Sequence, residues 1–238
     1  MEIHYYKSIS NTNSTLLELS KKSAKSWTAI WTDNQTQGRG YAGNRWNAEP
    51  GQNIALSLLI INELNYGDLV FFNQWVSNCV ASVLKRLTAD VFVKWPNDII
   101  AADKKLCGIL IETRRSGNQM FIVTGIGLNV NQTNFESHPK AASLGLICGR
   151  KFDLEEILSG LLTTLEENYH LVENRDWEKI SKNYISSLYR RDIRSLFRSD
   201  EGEFEAVIRS VSDRGELILE LTDGSFRNFA HKSIELVY

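Results

Sequence analysis

Between Gln35 and Trp46 the chain reads QTQGRGYAGNRW, with Gly38, Gly40 and Gly43 framing Arg39 and with Arg45 and Trp46 at the end. Glycine lets a backbone pass close to a bound group. Arginine adds a permanently charged planar fork suited to carboxylate or phosphate. The stretch can therefore wrap an anion, although a plain glycine-rich surface loop has the same composition. No Lys-Ser or Lys-Thr follows its last glycine and the spacing is not G-x-G-x-x-G, which excludes the P-loop and dinucleotide fingerprints. A second charged cluster joins Lys94, Trp95, Pro96, Asn97 and Asp98 to Lys105 and Gly108. A third stretch, GIGLNVN at 125–131, supplies Gly127 and Asn129.

Activation of a carboxylic acid by ATP would use such a set. The acid must attack the α-phosphate, and both partners are anionic. The site must bring positive charge and backbone amides, and it must keep water from a reactive mixed anhydride. A Gly-Arg loop can fold over that intermediate, Lys94 and Lys105 can act as point charges, and Asn129 can hold magnesium or a phosphate oxygen. Other acyl-adenylate chemistry makes the same demands. Outside this context Lys105 reads as a solvated lysine, Trp95 as core and Asp98 as a strand-end turn residue.

The elements that must position these residues follow from periodicity. A short strand is predicted at 3–7, then a cluster of capping residues at 10–14 and an amphipathic helix at 16–24. The β-branched and aromatic run 27–31 reads as a buried strand leading to the glycine loop. Residues 53–61 read as a central strand. Between 66 and 87 apolar residues recur at threes and fours, which predicts a long core-facing helix. Strands are predicted at 91–94 and 98–101, broken by Trp95-Pro96-Asn97 because proline has no amide donor. A hairpin turn at Asp103-Lys104 should place Lys105 just before a strand at 106–112, and a further strand follows at 119–131. Residues 132–152 read as an irregular connection. Helices are predicted from 154, capped by Asp153, and at 177–188.

Past Tyr189 the texture changes to five short strands at 193–197, 204–211, 216–221, 225–230 and 234–237. Tight turns are expected at Asp213-Arg214-Gly215 and Thr222-Asp223-Gly224. The expected fold is α+β: a mixed, mainly antiparallel sheet with helices packed on one side, over residues 1–188. A small β-barrel over 189–238 completes it.

Composition narrows the class. A chain of 238 residues can hold one substantial core plus a small module. A net charge of −2 without long like-charge runs argues against a nucleic-acid or membrane footprint. The longest apolar run, 54–61, is too short to cross a bilayer. The three scattered cysteines suit a reducing cytosol and give neither disulfide nor zinc spacing. No cationic and apolar leader opens the sequence, so a cytoplasmic location is expected.

The GRG…W loop, the KWPND box followed by KLCGILIE, and the GIGLNVN segment resemble the biotin protein ligases, in that family's order and spacing and over essentially the whole chain. The resemblance implies a class II synthetase-like, biotin–lipoate ligase fold with an SH3-like C-terminal barrel. It implies formation of biotinyl-5′-AMP from biotin and MgATP, then transfer of biotin to a lysine of a carboxyl-carrier domain. By the same resemblance Asn11, Thr12 and Gln35 would contact the biotin ureido ring, with Asn11 replacing the family's serine. Gly38 and Arg39 would line the biotin carboxyl and adenylate phosphate, and Trp46 would pack against adenine. Lys105 would touch carboxyl and α-phosphate oxygens, and Gly108 and Gly127 would admit the ligand to the backbone.

Arg45, Lys94, Asn97 and Asn129 would complete the nucleotide site, with Lys94 supplying phosphate charge. Asp98 would serve in metal or acceptor-lysine handling. No protein cluster is expected to bind a metal by itself; Mg2+ would come with ATP, near Asp98 or Asn129. The family often has a basic residue where this chain has Tyr41, which shifts retention of the adenylate toward Arg39 and Arg45. Because the first strand begins at residue 3, a short ligase without the N-terminal DNA-binding domain is expected. Lipoate or octanoate ligases and transferases share the fold and are the alternative. A biotin or nucleotide sensor without turnover is a second alternative, from a different class.

Overall fold

The computed structural model describes residues 1–22, 24–40 and 43–238; Tyr41 lies outside them. Seven strands form the larger sheet. They are β1 (Glu2–Tyr5), β2 (Thr28–Thr32), β3 (Asn53–Asn62), β4 (Phe92–Lys94), β5 (Asp98–Ala101), β6 (Lys104–Ser116) and β7 (Gln119–Asn129), in the order β1-β2-β3-β7-β6-β5-β4. Only β1 and β2 run parallel; the other neighbours are antiparallel. The sheet is thus mixed and mainly antiparallel, as expected.

Alternation along β3 sorts two apolar cores onto opposite faces. On one face Ile54, Leu56, Leu58 and Ile60 join the large core with Phe72, Trp75, Val76 and Val80 of helix α2 (Leu69–Lys85). Helix α4 (Leu154–Asn168) adds Ile157, Leu158, Leu161 and Leu165 there, its N-terminus capped by the Asp153 carboxylate. On the other face Leu59, Ile30 and Val123 meet Leu16 of α1 (Thr12–Ser20). The sheet therefore carries helices on both faces, not on one side alone. Helix α1 is short, and one buried leucine is too little for its packing side to be read from periodicity.

Three local expectations are corrected. Residues 132–152 contain a helix, α3 (Leu144–Cys148), started by the Ser143 side chain accepting from Leu146 N; one and a half turns leave no measurable period. A second short helix, α5 (His170–Glu173), precedes α6 (Trp177–Ser186). The hairpin turn falls on Ala102 and Asp103, both at positive φ (48° and 57°), so β6 starts at Lys104 and Lys105 lies within the strand.

The C-terminal residues form a second, five-stranded antiparallel sheet of SH3-like type. Its strands are β8 (Arg194–Ser199), β9 (Gly202–Val211), β10 (Leu217–Leu221), β11 (Phe226–Phe229) and β12 (Ile234–Val237), in the order β11-β10-β9-β8-β12. Both expected tight turns are present, with Gly215 and Gly224 at φ 82°. Phe197, Ile208, Leu217 and Leu236 belong to the same continuous core as the larger sheet.

Candidate active site

The register of the central strands builds one wall of a cavity. Ala55 pairs with Gly127 and Ser57 with Gly125 across β3 and β7; Gly108 pairs with Gly127 and Leu110 with Gly125 across β6 and β7; Asp98 pairs with Gly108 across β5 and β6. Cross-strand partners share a face, so all of these look toward the α1 side. The glycines leave that face without side chains, and a cavity of about 290 Å³ forms above it.

Trp46 fills part of the space. A Cβ on Gly127 would stand 2.6 Å from Trp46 Cε2, and one on Gly108 would stand 3.1 Å from Trp46 Cζ3. The indole thus lies directly on the Gly108–Gly127 pair. The loop that carries it closes as a small hairpin: Trp46 N donates to Gly38 O at 3.0 Å, Gly40 N donates to Asn44 O at 2.7 Å, and Arg39 pairs with Arg45. Gly38 sits beneath this closure, where a Cβ would collide with the Trp46 carbonyl. The Trp46 Nε1 is buried and has no hydrogen-bond partner among the described residues. Arg39 and Arg45 are exposed, and both line the cavity.

Beside the indole, Lys105 Nζ lies 2.6 Å from Asp98 Oδ1 and 5.7 Å from the centre of the Trp46 ring. Lys94, whose strand pairs it with Asp98, stands over the Tyr238 ring at 5.2 Å. Burial pushes the Lys94 ammonium below the usual lysine range, with Asp98 opposing that shift and Lys105 and Lys140 adding to it. Lys140 reaches the same Tyr238 ring from 4.7 Å. Burial, with Asp98 and Tyr189 nearby, raises the Tyr238 phenol to about 12. This end of the cavity therefore gathers cations.

The opposite end is polar, with Asn11 and Thr12 buried. Thr12 N and Thr12 Oγ1 lie 2.8 and 3.0 Å from Gln35 Oε1, and Asn11 Nδ2 donates to Gln37 O at 3.2 Å. Asn11 also caps α1, accepting from Ser14 N at 2.9 Å. Its capping role and its place on the cavity wall coexist.

Most of the residues singled out in the sequence converge here. Asn11, Thr12, Gln35, Arg39, Arg45, Trp46, Lys94, Asn97, Asp98, Lys105, Gly108 and Gly127 all line the cavity. Asn129 does not: it is buried, and its Nδ2 donates to Ala142 O at 3.1 Å. Asn97 spends its amide on Ile109 O at 2.6 Å, while Ile109 N returns a bond to Asn97 O. It pins the KWPND turn to β6. Sequence reading missed Asn13, Gly125 and the contributions of His231, Lys232 and Glu235 from the C-terminal sheet, and it missed the buried Ser57 behind the wall. Asn13 looked like one more capping residue, and Ser57 interrupts an apolar strand, which was its one visible signal. Among the described residues no group of three or more His, Cys, Asp or Glu is placed to hold a metal ion.

A glycine-floored cavity with lysines at one end and amide and hydroxyl groups at the other defines a protein that binds a small ligand with one anionic and one polar end. Residues 5–129 match the biotin/lipoate A/B protein ligase family, and the chain belongs to that family. It is 30% identical over 241 residues to the bifunctional ligase/repressor BirA of Escherichia coli (strain K12), covering 96% of this chain and 72% of that protein. It is also 30% identical over 195 residues to a biotin–[acetyl-CoA-carboxylase] ligase of Mycobacterium tuberculosis, covering 79% and 71%. Among solved structures, a biotin protein ligase from Aquifex aeolicus in complex with biotin and ATP superposes with a TM-score of 0.82 at 24% identity, covering 99% of this chain and 98% of that one. That likeness bears on the fold.

Proposed function

We propose that this chain is an ATP-dependent biotin protein ligase. The carboxylate of biotin attacks the α-phosphate of ATP, forming biotinyl-5′-AMP and releasing pyrophosphate. A lysine amine of a biotin carboxyl-carrier domain then attacks the acyl carbon, AMP leaves, and the amine's proton goes to solvent. Membership of the family supports the reading, and so do the names of the curated relatives. The observation that carries it is the two-ended cavity: Lys94 and Lys105 line the same glycine-floored space as Thr12 and Gln35.

In this reading Thr12 and Gln35 hold the ureido ring. Lys105, Arg39 and Lys94 neutralise the carboxylate and phosphate oxygens as charge builds in the transition state. Trp46 packs against adenine, with Arg45 near the phosphates. Because the indole lies on Gly108 and Gly127, ligand approach to that backbone requires it to shift. Mg2+ arrives with the triphosphate, where it would neutralise the leaving pyrophosphate; Asp98 is a carboxylate on the cavity wall that could serve it. Catalysis is assigned to residues 1–188 and the SH3-like module to 189–238. A cytoplasmic location is proposed as well; no helix among the described residues is long and apolar enough to cross a membrane.

Exchange of labelled pyrophosphate into ATP tests the reading. It should depend on biotin and magnesium, and a carrier domain added afterwards should acquire biotin on lysine. Equal exchange with lipoate or octanoate would move the assignment to the other branch of the family. Tight biotin binding without exchange would make the chain a sensor.

A further inference from the structure

Three polar residues behind the Thr12 end of the cavity are tied into a chain that sequence reading did not find. Asn13 Nδ2 donates to Leu110 O at 3.3 Å and to Glu112 Oε2 at 2.8 Å. Ser57 Oγ lies 2.5 Å from Asn13 Oδ1 and 2.7 Å from Thr12 Oγ1. Thr12, Asn13 and Ser57 are all buried, and Ser57 has no exposed surface at all. Gly125 makes room for the chain, since a Cβ there would stand 2.6 Å from Asn13 Oδ1.

Counting hydrogens limits the direction of each bond. A backbone carbonyl and a carboxylate both face the Asn13 amide nitrogen, so the nitrogen must be on that side and Oδ1 must face Ser57. Oδ1 can only accept, so the single Ser57 hydroxyl hydrogen goes to it. The Thr12 hydrogen then has two acceptors in reach, Ser57 Oγ at 2.7 Å and Gln35 Oε1 at 3.0 Å, and either one keeps it inside the protein. Thr12 Oγ1 thus keeps its lone pairs for the cavity and has no hydrogen to offer.

We propose that Glu112, Asn13 and Ser57 act as a positioning relay that holds Thr12 Oγ1 as an acceptor, so that this end of the cavity selects a ligand presenting an N–H donor. The inference rests on the biotin reading above, whose cyclic urea carries such donors. It adds a reason for selectivity. A ligand with a ring oxygen or a methylene at that place meets an acceptor facing an acceptor or an empty bond. A buried group without its partner is costly, which is how polar sites reject near-isosteres.

The test compares biotin with its cyclic carbonate analogue, in which both ring N–H groups are oxygens, by kcat/KM in pyrophosphate exchange. Wild-type protein should prefer biotin by on the order of 10⁴. In Ser57→Ala the Thr12 hydroxyl loses the nearer of its two acceptors and is held by Gln35 Oε1 alone, so its hydrogen is freer to turn into the cavity. The preference should then fall by about tenfold or more, with KM for biotin rising and kcat nearly unchanged. Glu112 is only partly buried, so Glu112→Leu provides a second variant with less risk to folding. It should move the preference the same way, while Glu112→Gln, which still accepts from Asn13, should keep the wild-type value. Thermal melting identifies folded variants. If wild type uses biotin and the folded variants discriminate as it does, the relay is refuted and the function stands. If wild type is inert toward biotin, the function reading falls and takes the relay with it.

Discussion

The Lys105 ammonium lies 2.6 Å from the Asp98 carboxylate, on neighbouring strands and beside the Trp46 indole, with both side chains partly exposed to the cavity. Such a pair is neither a solvated surface bridge nor a sealed internal one. An incoming anion can draw Lys105 away from Asp98 without creating a charge that has no solvent. The strand, not the turn, holds the lysine in place.

Lys105→Ala should therefore cripple adenylate formation while the fold survives. A cation held against α-phosphate and carboxyl oxygens stabilises the transition state more than the ground state, and losing such a contact costs on the order of 10²–10³ in rate. Transfer from supplied biotinyl-AMP should suffer less, because the attack on phosphate is already complete. Single-turnover kinetics of the two half-reactions, with melting as control, make the comparison. Near-wild-type adenylation would move the role to Lys94 or Arg39.

Gly127→Ala should displace the Trp46 indole, because the new methyl would stand 2.6 Å from Cε2. The tryptophan sits on a loop and can yield, so folding should persist while its fluorescence shifts. Gly108→Ala, with 3.1 Å to Cζ3 and otherwise a flexible lysine beside it, should be milder. Both should weaken biotin-dependent exchange in that order. A Trp46→Phe background should remove the fluorescence change; if it does not, the indole is not what the methyl displaces.

The fold and the site were legible to different depths. Helix α2 was visible because its apolar residues recur at threes and fours, and β3 because burial on both faces leaves an apolar run. The KWPND turn was visible because proline must break the ladder. Helix α3 was not, because five residues show no repeat. Asn129 was expected in the cavity from its type and neighbours, but the end of β7 turns its amide to the Ala142 carbonyl. Nor could spacing reveal that Asn13 and Ser57, far apart in sequence, share one proton chain, because that depends on register across β3 and β7.

Lys94 should take up a proton when the anionic ligand binds at alkaline pH. Burial holds its ammonium below 10.5 in the folded protein. A lysine lowered in this way makes folding less favourable while the unfolded chain stays protonated. Stability from this group therefore rises with pH between the lowered value and 10.5. A bound phosphate opposes the desolvation and raises the value again. Calorimetric titration with ATP in two buffers of different ionisation enthalpy should show uptake at alkaline pH, between the lowered value and 10.5. Lys94→Met should abolish it, and uptake that survives the substitution would assign the proton to another group.

The C-terminal sheet should be needed to hold the KWPND turn. Trp95 Nε1 donates to Gly215 O at 3.0 Å, and its ring meets His231 edge-on at 5.4 Å. Gly215 is at φ 82°, and a Cβ there would also press on Val70 of α2 at 3.2 Å. One turn of the second sheet thus touches both a wall of the cavity and the helix behind it. Trp95→Phe keeps most of the apolar contact and removes the hydrogen bond, which is worth about 1 kcal/mol. In a chain of this size that should lower Tm by about 2–4 °C. Gly215→Ala adds left-handed strain to the contact with Val70, at a cost of roughly 1–3 kcal/mol, and should lower Tm at least as far. Because Asp98 and Lys94 flank the same turn, both variants should also reduce biotin-dependent exchange. Unchanged melting and exchange in both would mean that the second sheet merely rests against the first. Lost melting with full exchange would make Trp95 a structural tie that leaves the charged groups where they are.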